Sequence, residues 1–326
     1  MGNQRSDLLR GHRVRPRNRR ATPVLLRGRE VAVREVGSAG TEERLGRAGR
    51  TGPELPLDRQ ADGLRDVARW ARRLAVRRAH ATGQGHIGGE FSVVDILVTL
   101  YCAVMRLPGS AGGPDPDRLI LSKGHAAVAL YAAMAAAGVL DHSRLRADGG
   151  DGLPGHPVKG SAPGIEATTG SLGHGLSLGV GAALGSRMDG SRARTFVVLG
   201  DGELQEGSNW EAFMLAAHLR LGNLTAVVDA NGLQQGGRVS TTNGIEPLED
   251  KMRAFGWCCS TVDGHDFEAM LGTLTLSPGT ESRQPRVVVA RTTKGYGVSF
   301  MADDPSWHHR IPTDDELVRA LGELDG

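Results

Sequence analysis

Between Phe196 and Glu203 the chain reads Phe-Val-Val-Leu-Gly-Asp-Gly-Glu, an acid held between two glycines at the end of an apolar run. Glycine permits a tight turn and lets backbone N–H groups approach an anion, while the Asp201 carboxylate can hold a divalent cation. Thirty residues on, Asn231 closes a second apolar run that begins at Leu224. If the two runs are neighbouring strands, Asp201 and Asn231 leave the sheet at the same edge. One carboxylate, one amide oxygen and a nearby backbone carbonyl, with two diphosphate oxygens, suit Mg²⁺, which takes oxygen ligands octahedrally and uses few protein carboxylates. A lone Gly-Asp-Gly also makes ordinary turns; the second strand ending in Asn is what points to a metal-bridged diphosphate.

The elements that must position these residues follow from periodicity. Leu64, Val67, Ala68, Ala71, Leu74 and Ala75 recur at helical spacing with Arg on the opposite face, so folded structure is expected from Leu64. Ser92 precedes an apolar helical run over Val93 to Met105, and a second run covers Ala126 to Ala137 before Gly138. Thr195 to Leu199, Leu224 to Val228, Cys258 to Val262 and Val287 to Ala290 read as strands, the first two as apolar, buried runs. Trp210 to Leu221, Leu248 to Phe255, Phe267 to Leu276 and Glu316 to Leu324 read as the helices between and after them. Near-continuously apolar strands alternating with helices predict an α/β fold, a mostly parallel sheet with helices on both faces and ligands beyond the carboxyl strand ends. Gly170, Gly173, Gly175, Gly179, Gly181 and Gly185 form a small-residue helix opening, suited to close approach by a cofactor or by a packed neighbour.

Composition separates a leader from the rest. Residues 1–57 are rich in Arg and Gly and hold no aromatic residue; the first 60 residues carry 14 Arg against 7 acids, the remainder 25 basic against 30 acidic residues. The leader is expected to be disordered, and 58–326 to form one domain. A tail for an acidic partner and a start codon placed too far upstream are the other readings of the leader. Without aromatic interleaving, no nucleic-acid partner is expected. No run of about 18 apolar residues and no apolar segment after the basic N-terminus predict neither membrane span nor signal peptide, hence a cytoplasmic protein. Cys102, Cys258 and Cys259 match no disulfide or metal spacing and are expected to be buried thiols.

Over about residues 64 to 316 the sequence resembles the N-terminal, thiamine-diphosphate-binding half of transketolase, in the split form made as two subunits. The carriers are Gly85-His86-Ile87-Gly88-Gly89, Leu121-Ser122-Lys123-Gly124-His125-Ala126, Gly155-His156-Pro157, and Thr168-Thr169-Gly170-Ser171-Leu172-Gly173-His174-Gly175. The Gly-Asp-Gly to Asn motif and Lys294-Gly295-Tyr296-Gly297-Val298 with Trp307-His308 complete them.

The resemblance implies the cofactor thiamine diphosphate with Mg²⁺ (or Ca²⁺ or Mn²⁺), and metal binding by Asp201, Asn231 and the carbonyl of Leu233. It implies cofactor contacts from Gly170, Ser171, Leu172, Gly173, Gly202, Glu203, Glu206, Asn231, His125 and His308. Glu206 matches a glutamate at a subunit contact between cofactor sites; a surface helix-start acid is its plain alternative. His86, His125, His156 and His308 match the active-site histidines, whose imidazoles can hydrogen-bond sugar hydroxyls and move protons near neutral pH. His12, His80, His142, His218 and His265 lack that context and are expected to be structural, with His174 and His309 undecided. Two departures bear on substrate: His309 stands where Gly is usual, and Gly236 where Asp is common.

The implied activity is ketol transfer: a thiamine carbanion takes a two-carbon unit from a ketose donor and passes it to an aldehyde acceptor. The glutamate that activates the cofactor belongs to a pyrimidine-binding domain not found here. The expected partner is therefore a C-terminal transketolase subunit, in an α2β2 heterotetramer, with the chain inert alone. A decarboxylating thiamine enzyme using a 2-oxo acid, and a non-catalytic scaffold subunit, are the competing readings.

Overall fold

The computed structural model describes residues 57–108, 115–146, 148–150, 152–275 and 283–325. The Arg-rich leader, His12 included, lies outside them up to its last residue, Leu57. Five strands form one parallel sheet: β1 (Arg118–Leu121), β2 (Thr195–Gly200), β3 (Leu224–Ala230), β6 (Cys258–Asp263) and β7 (Arg286–Arg291), in the order β1-β2-β3-β7-β6. A short antiparallel ladder, β4 (Leu233–Gln234) with β5 (Gly237–Arg238), follows β3.

Side chains on the strands alternate between two cores, as the pleat demands. Leu119, Leu121, Phe196, Val198, Val227, Val288 and Ala290 pack with helices α1 (Leu57–Thr82), α2 (Ile87–Thr99), α3 (Ala127–Ala136) and α8 (Phe267–Thr275). Ile120, Val197, Leu199, Ala226, Val228, Val287 and Val289 pack with α4 (Gly175–Met188), α5 (Gly207–His218) and α7 (Leu248–Ala254), α7 following the one-turn α6 (Val239–Thr242). A third cluster joins α1 and α2 to Val298, Met301, Trp307 and the closing helix α9 (Asp314–Asp325). The α/β architecture read from the sequence is the one observed.

Two expectations are corrected and one strand is added. The second helix begins at Ile87, not Val93, because Gly88 and Gly89 let it start hard against Lys294 and His125; a Cβ on Gly88 would lie 2.9 Å from the Trp307 carbonyl oxygen. Ser92 is therefore a buried mid-helix residue. The strand Arg118–Leu121 follows the second helix and escapes a periodicity reading because only four residues long. Of the cysteines only Cys102 is buried; Cys258 is exposed and Cys259 half-buried on the edge strand β6. Among the described residues, Ile87–Val104 is the one segment long and apolar enough to cross a membrane, and 94% of it is buried inside the fold. It is core.

Candidate active site

The carboxyl ends of β1, β2, β3 and β7 release Ser122-Lys123-Gly124-His125, Asp201-Gly202, Asn231 and Thr292-Thr293-Lys294 along one edge of the sheet. The residue pairing of the strands puts Gly200 beside Asp229 and Asp229 beside Ala290. Asp201 and Asn231 therefore emerge as neighbours. Asp201 Oδ2 accepts from Gly232 N at 2.6 Å and Oδ1 from Gly202 N at 2.8 Å, while Asn231 Oδ1 accepts from Leu233 N at 3.0 Å. Burial, reinforced by the nearby Asp229 charge, raises the Asp201 pKa to about 6 against the pull of those N–H groups. Among the described residues, no cation forms an ion pair with that carboxyl. Leu233 is buried in the β4–β5 ladder.

Beneath this corner lies a buried charge pair that the sequence reading passed over. Lys123, 2% exposed, pairs with Asp229, which is fully buried. Asp229 also accepts from Ser92 Oγ at 2.7 Å and from Thr292 Oγ1, and Asn231 Nδ2 donates to Ser92 Oγ at 3.1 Å. Helix α2, strand β3 and the exit of β7 are thus tied under the site by one hydrogen-bonded cluster, the condition that makes a buried ion pair tolerable.

The histidines converge on His86. Its ring centroid lies 5.2 Å from that of His125, 6.0 Å from His156, 5.3 Å from His308 and 4.8 Å from His309, and His125 lies 5.4 Å from His308. Burial first, then neighbouring positive groups, lowers the His86 pKa to about 4, that of His308 to about 3, and that of His125 well below the ordinary imidazole value. These three rings are neutral at pH 7. Lys294 is 2% exposed, with its pKa lowered by burial to about 8, and its Nζ lies 2.8 Å from His308 Nδ1. An ammonium can only donate, so Nδ1 accepts and the ring proton sits on Nε2. His308 is thereby fixed as a neutral N–H donor.

The loop at Gly170–Gly173 bridges the two halves of this edge. Thr169 Oγ1 donates to Leu121 O at 2.7 Å. Gly170, at φ +142°, packs under His156, where a Cβ would lie 3.0 Å from the ring. Gly173, at φ +84°, donates to Glu203 Oε1 at 3.0 Å, and a Cβ there would lie 2.6 Å from that of Glu206. Ser171 is exposed and Leu172 half-buried between them. Glu203, in the implied cofactor set, turns inward: its oxygens take Ser122 Oγ and the N–H groups of Gly173 and Gly200, locking the loop to the β1 and β2 exits. Glu206 is exposed at the start of α5 and makes no capping bond with its side chain. Gly202 packs against Gln234, where a Cβ would meet that of Gln234 at 2.9 Å, leaving room only for glycine beside Asp201.

His309 joins the cluster, whereas His174 folds onto its own loop, with Nδ1 3.0 Å from Leu172 O. His80 pairs with Asp314, His142 packs on Trp70, and His218 is exposed. Gly236 lies exposed between β4 and β5. Lys123 and Lys294 are the functional candidates missed. A signal existed: the chain uses 35 Arg but only four Lys, two of them in motif blocks, and lysine is the cation whose compact head fits a buried single-point contact.

Residues 64–323 match the family described as "Transketolase, thiamine diphosphate binding domain". The chain is 40% identical over 272 residues to an apulose-4-phosphate transketolase subunit from Actinobacillus succinogenes, covering 82% of this chain and 95% of that protein. It is 37% identical to a 6-deoxy-6-sulfo-D-fructose transketolase subunit from a Clostridium species, covering 82% and 98% respectively. Among solved structures, transketolase from Leishmania mexicana superposes with a TM-score of 0.71 at 29% identity, and that from Campylobacter jejuni with 0.72 at 26%. The chain spans about two-fifths of those larger enzymes, 41% and 42% of their length. The sheet with its convergent histidines, the family match and the subunit-sized relatives agree: this chain belongs to the transketolase family, as its thiamine-diphosphate-binding domain.

Proposed function

We propose that this chain is the diphosphate- and metal-binding subunit of a two-component transketolase, moving a two-carbon ketol unit from a ketose to an aldehyde. The observation that carries this is the meeting of five imidazoles with the Asp201–Asn231 corner on one sheet edge. The residues fit the cofactor. Asp201 is a buried carboxyl with no ion pair among the described residues, Asn231 adds an amide oxygen beside it, and Gly202 next to it is a position that only glycine fills, a Cβ there meeting that of Gln234 at 2.9 Å. That donor set suits Mg²⁺ with a diphosphate. When bound, thiamine diphosphate supplies the nucleophilic carbon and the electron sink for breaking and remaking the bond beside a ketose carbonyl.

The chain's own residues then have distinct work. Asp201, Asn231 and the Leu233 carbonyl would hold the metal, and Gly202 would face the diphosphate. His86, His125 and His308, held neutral by burial, offer hydrogen bonds to substrate hydroxyl and carbonyl groups without the cost of desolvating a charge. His308 presents Nε2–H. Lys123 is neutralised by Asp229, whereas Lys294, with no carboxylate ion pair among the described residues, adds positive charge beside His308, which suits an anionic sugar. The relatives are named for a phosphorylated and a sulfonated sugar, and this chain covers them almost end to end, which supports a ketose donor with an anionic terminus and a partner subunit in an α2β2 assembly.

The test is ketol transfer by this chain reconstituted with a C-terminal transketolase subunit, thiamine diphosphate and Mg²⁺, from a panel of ketose phosphates and sulfonates. His86→Asn should lower kcat/KM about a hundredfold, within the range for loss of an acid–base group. Release of CO₂ from a 2-oxo acid, with no ketol transfer, would replace the proposal by the decarboxylating reading.

A further inference from the structure

His265 has no motif context in the sequence, yet the structure gives it the best-defined hydrogen bonds of any described histidine outside the cluster. It leaves β6 in the turn Asp263-Gly264-His265. That turn is pressed onto the exit of β7: Gly264 N donates to Arg291 O at 2.8 Å, and a Cβ on Gly264 would lie 2.4 Å from Thr292 Cγ2. His265 Nδ1 lies 2.7 Å from Asp95 Oδ2, and its Nε2 accepts from Thr293 N at 2.9 Å. A backbone N–H can only donate, so Nε2 carries a lone pair and Nδ1 carries the proton given to Asp95. The Asp95–His265 contact is therefore a hydrogen bond from a neutral ring to a carboxylate.

Asp95 is 1% exposed, and the same Oδ2 accepts from Arg72 Nη2 at 2.8 Å; Arg72 in turn donates to Phe91 O at 2.8 Å. Burial opposes the Asp95 charge, but Arg72 and His265 together hold its pKa below the usual carboxylate value. Tyr296 covers the His265 ring, stacked at 3.5 Å and 10°, with the Arg72 guanidinium 5.1 Å from the tyrosine centroid. The imidazole thus has two directional bonds and one covered face, and only one rotamer meets all three.

Thr293 is the residue before Lys294. Its N–H is held by His265, its neighbour Thr292 by Asp229 and by Ala230 O, and Gly295 N by Gly88 O at 3.0 Å. The Lys294 backbone is pinned on both sides, and its ammonium reaches His308 Nδ1. We propose that His265 is a positioning residue for catalysis, fixing the Thr293–Lys294 turn so that Lys294 holds His308 in its Nε2–H form. The proposal rests on the reading of His308 as a site residue given above, and it goes beyond that reading by assigning the source of its tautomer.

Two substitutions separate the bonds. In His265→Gln the side-chain oxygen sits as many bonds from Cα as Nε2, so the Thr293 contact survives. In His265→Asn the amide nitrogen takes the place of Nδ1, so the Asp95 contact survives and the Thr293 contact is lost. The first readout is ¹⁵N–¹H correlation spectroscopy of the histidine rings in the full chain. It is expected to show His308 as a pure Nε2–H tautomer in the wild type and His265→Gln, and as a mixture of tautomers in His265→Asn. The second is turnover of the reconstituted enzyme. His265→Asn should lower kcat about tenfold or more, the scale of a small misplacement of reacting groups, with KM changed less than about threefold, and His265→Gln should restore it. An unaltered His308 tautomer in His265→Asn, or equal loss of turnover in both variants in step with a fall in Tm, overturns the proposal in favour of a purely structural histidine. Absence of ketol transfer from the wild-type complex would refute the functional reading instead, and the spectra would still decide the role of His265.

Discussion

Glu90 shows how burial alone sets a titration in this fold. It is 1% exposed on α2, its Oε2 has no hydrogen-bond partner among the described residues, and desolvation raises its pKa to about 7 against weaker pulls from the His86 backbone N–H, Arg78 and Lys123. A carboxyl with a folded-state pKa above its unfolded value binds more protons when folded, so its contribution to stability is complete below the unfolded pKa and is lost as pH rises through the folded one. The window runs from about pH 4.5 to about 7. Glu90→Gln should match the wild type near pH 4.5 and exceed it above pH 7, by up to about 3 kcal/mol at 1.36 kcal/mol per pKa unit. Urea unfolding of the isolated chain at the two pH values checks this; a difference that does not vary with pH would show that Glu90 does not titrate in that window. His86 and His308 act with the opposite sign. Their lowered pKa values mean that the unfolded state binds more protons, so their share of stability is present above about pH 6.5 and is lost as pH falls toward 4. Glutamate and histidines thus oppose one another between pH 4.5 and 6.5, which is why the Glu90 effect is best read as a difference between variants.

The glycines of α4 divide into two kinds, and the division is visible only from the packing. A Cβ on Gly179 would lie 2.3 Å from Val197 Cγ2, and one on Gly175 2.3 Å from Ser122 Oγ, so these positions set how closely the helix lies on β2 and on the β1 exit. Gly181 has nothing within 4 Å of where its Cβ would be. Gly179→Ala should therefore destabilise the chain by about 1–3 kcal/mol, the usual range for overpacking a filled core, because Val197 is fully buried and has nowhere to move. Gly181→Ala should stabilise it by about 0.5–1 kcal/mol through helix propensity alone. Thermal and urea unfolding of the two variants side by side would show opposite signs, and equal effects would contradict the helix-on-sheet contact. Val197→Ala in the Gly179→Ala background should recover part of the loss, since it removes the methyl that collides.

At the scale of the whole molecule the candidate site lies along one edge of the sheet. Its histidines, Asp201 and Asn231 lie along the carboxyl ends of the strands, and the proposed function places the rest of the cofactor pocket on a second polypeptide. The measurable consequence is a mixing experiment. This chain alone should show no ketol transfer with thiamine diphosphate and Mg²⁺, and activity should appear, with saturation at equal subunit numbers, when a C-terminal transketolase subunit is titrated in. Calorimetry on the mixture should detect cofactor uptake that requires Mg²⁺, and Asp201→Asn should abolish that uptake because the diphosphate charge is left uncompensated. Mg²⁺-dependent uptake by the variant at wild-type affinity would remove Asp201 from the metal site.

Local patterns in the sequence sufficed for the class of fold and for naming much of the candidate site. Runs such as Phe196 to Leu199 and Val287 to Ala290 are apolar on both faces, and only a strand covered by helices on each side accommodates that. Gly-Asp-Gly and Asn231 could be paired because both close such strands. The tertiary structure decided the rest, since neither strand order nor burial is a local property. Lys123 and Asp229, and His265 and Asp95, are brought together by crossovers that no periodicity encodes. The boundary of α2 was set by how closely Gly88 and Gly89 pack on elements far along the chain, and His309 joined the cluster only when the turn before it docked beside His86. Whether an imidazole is neutral or a carboxyl protonated depends on the water excluded around it, and that exclusion exists only once the sheet, both helical layers and α9 have closed on one another.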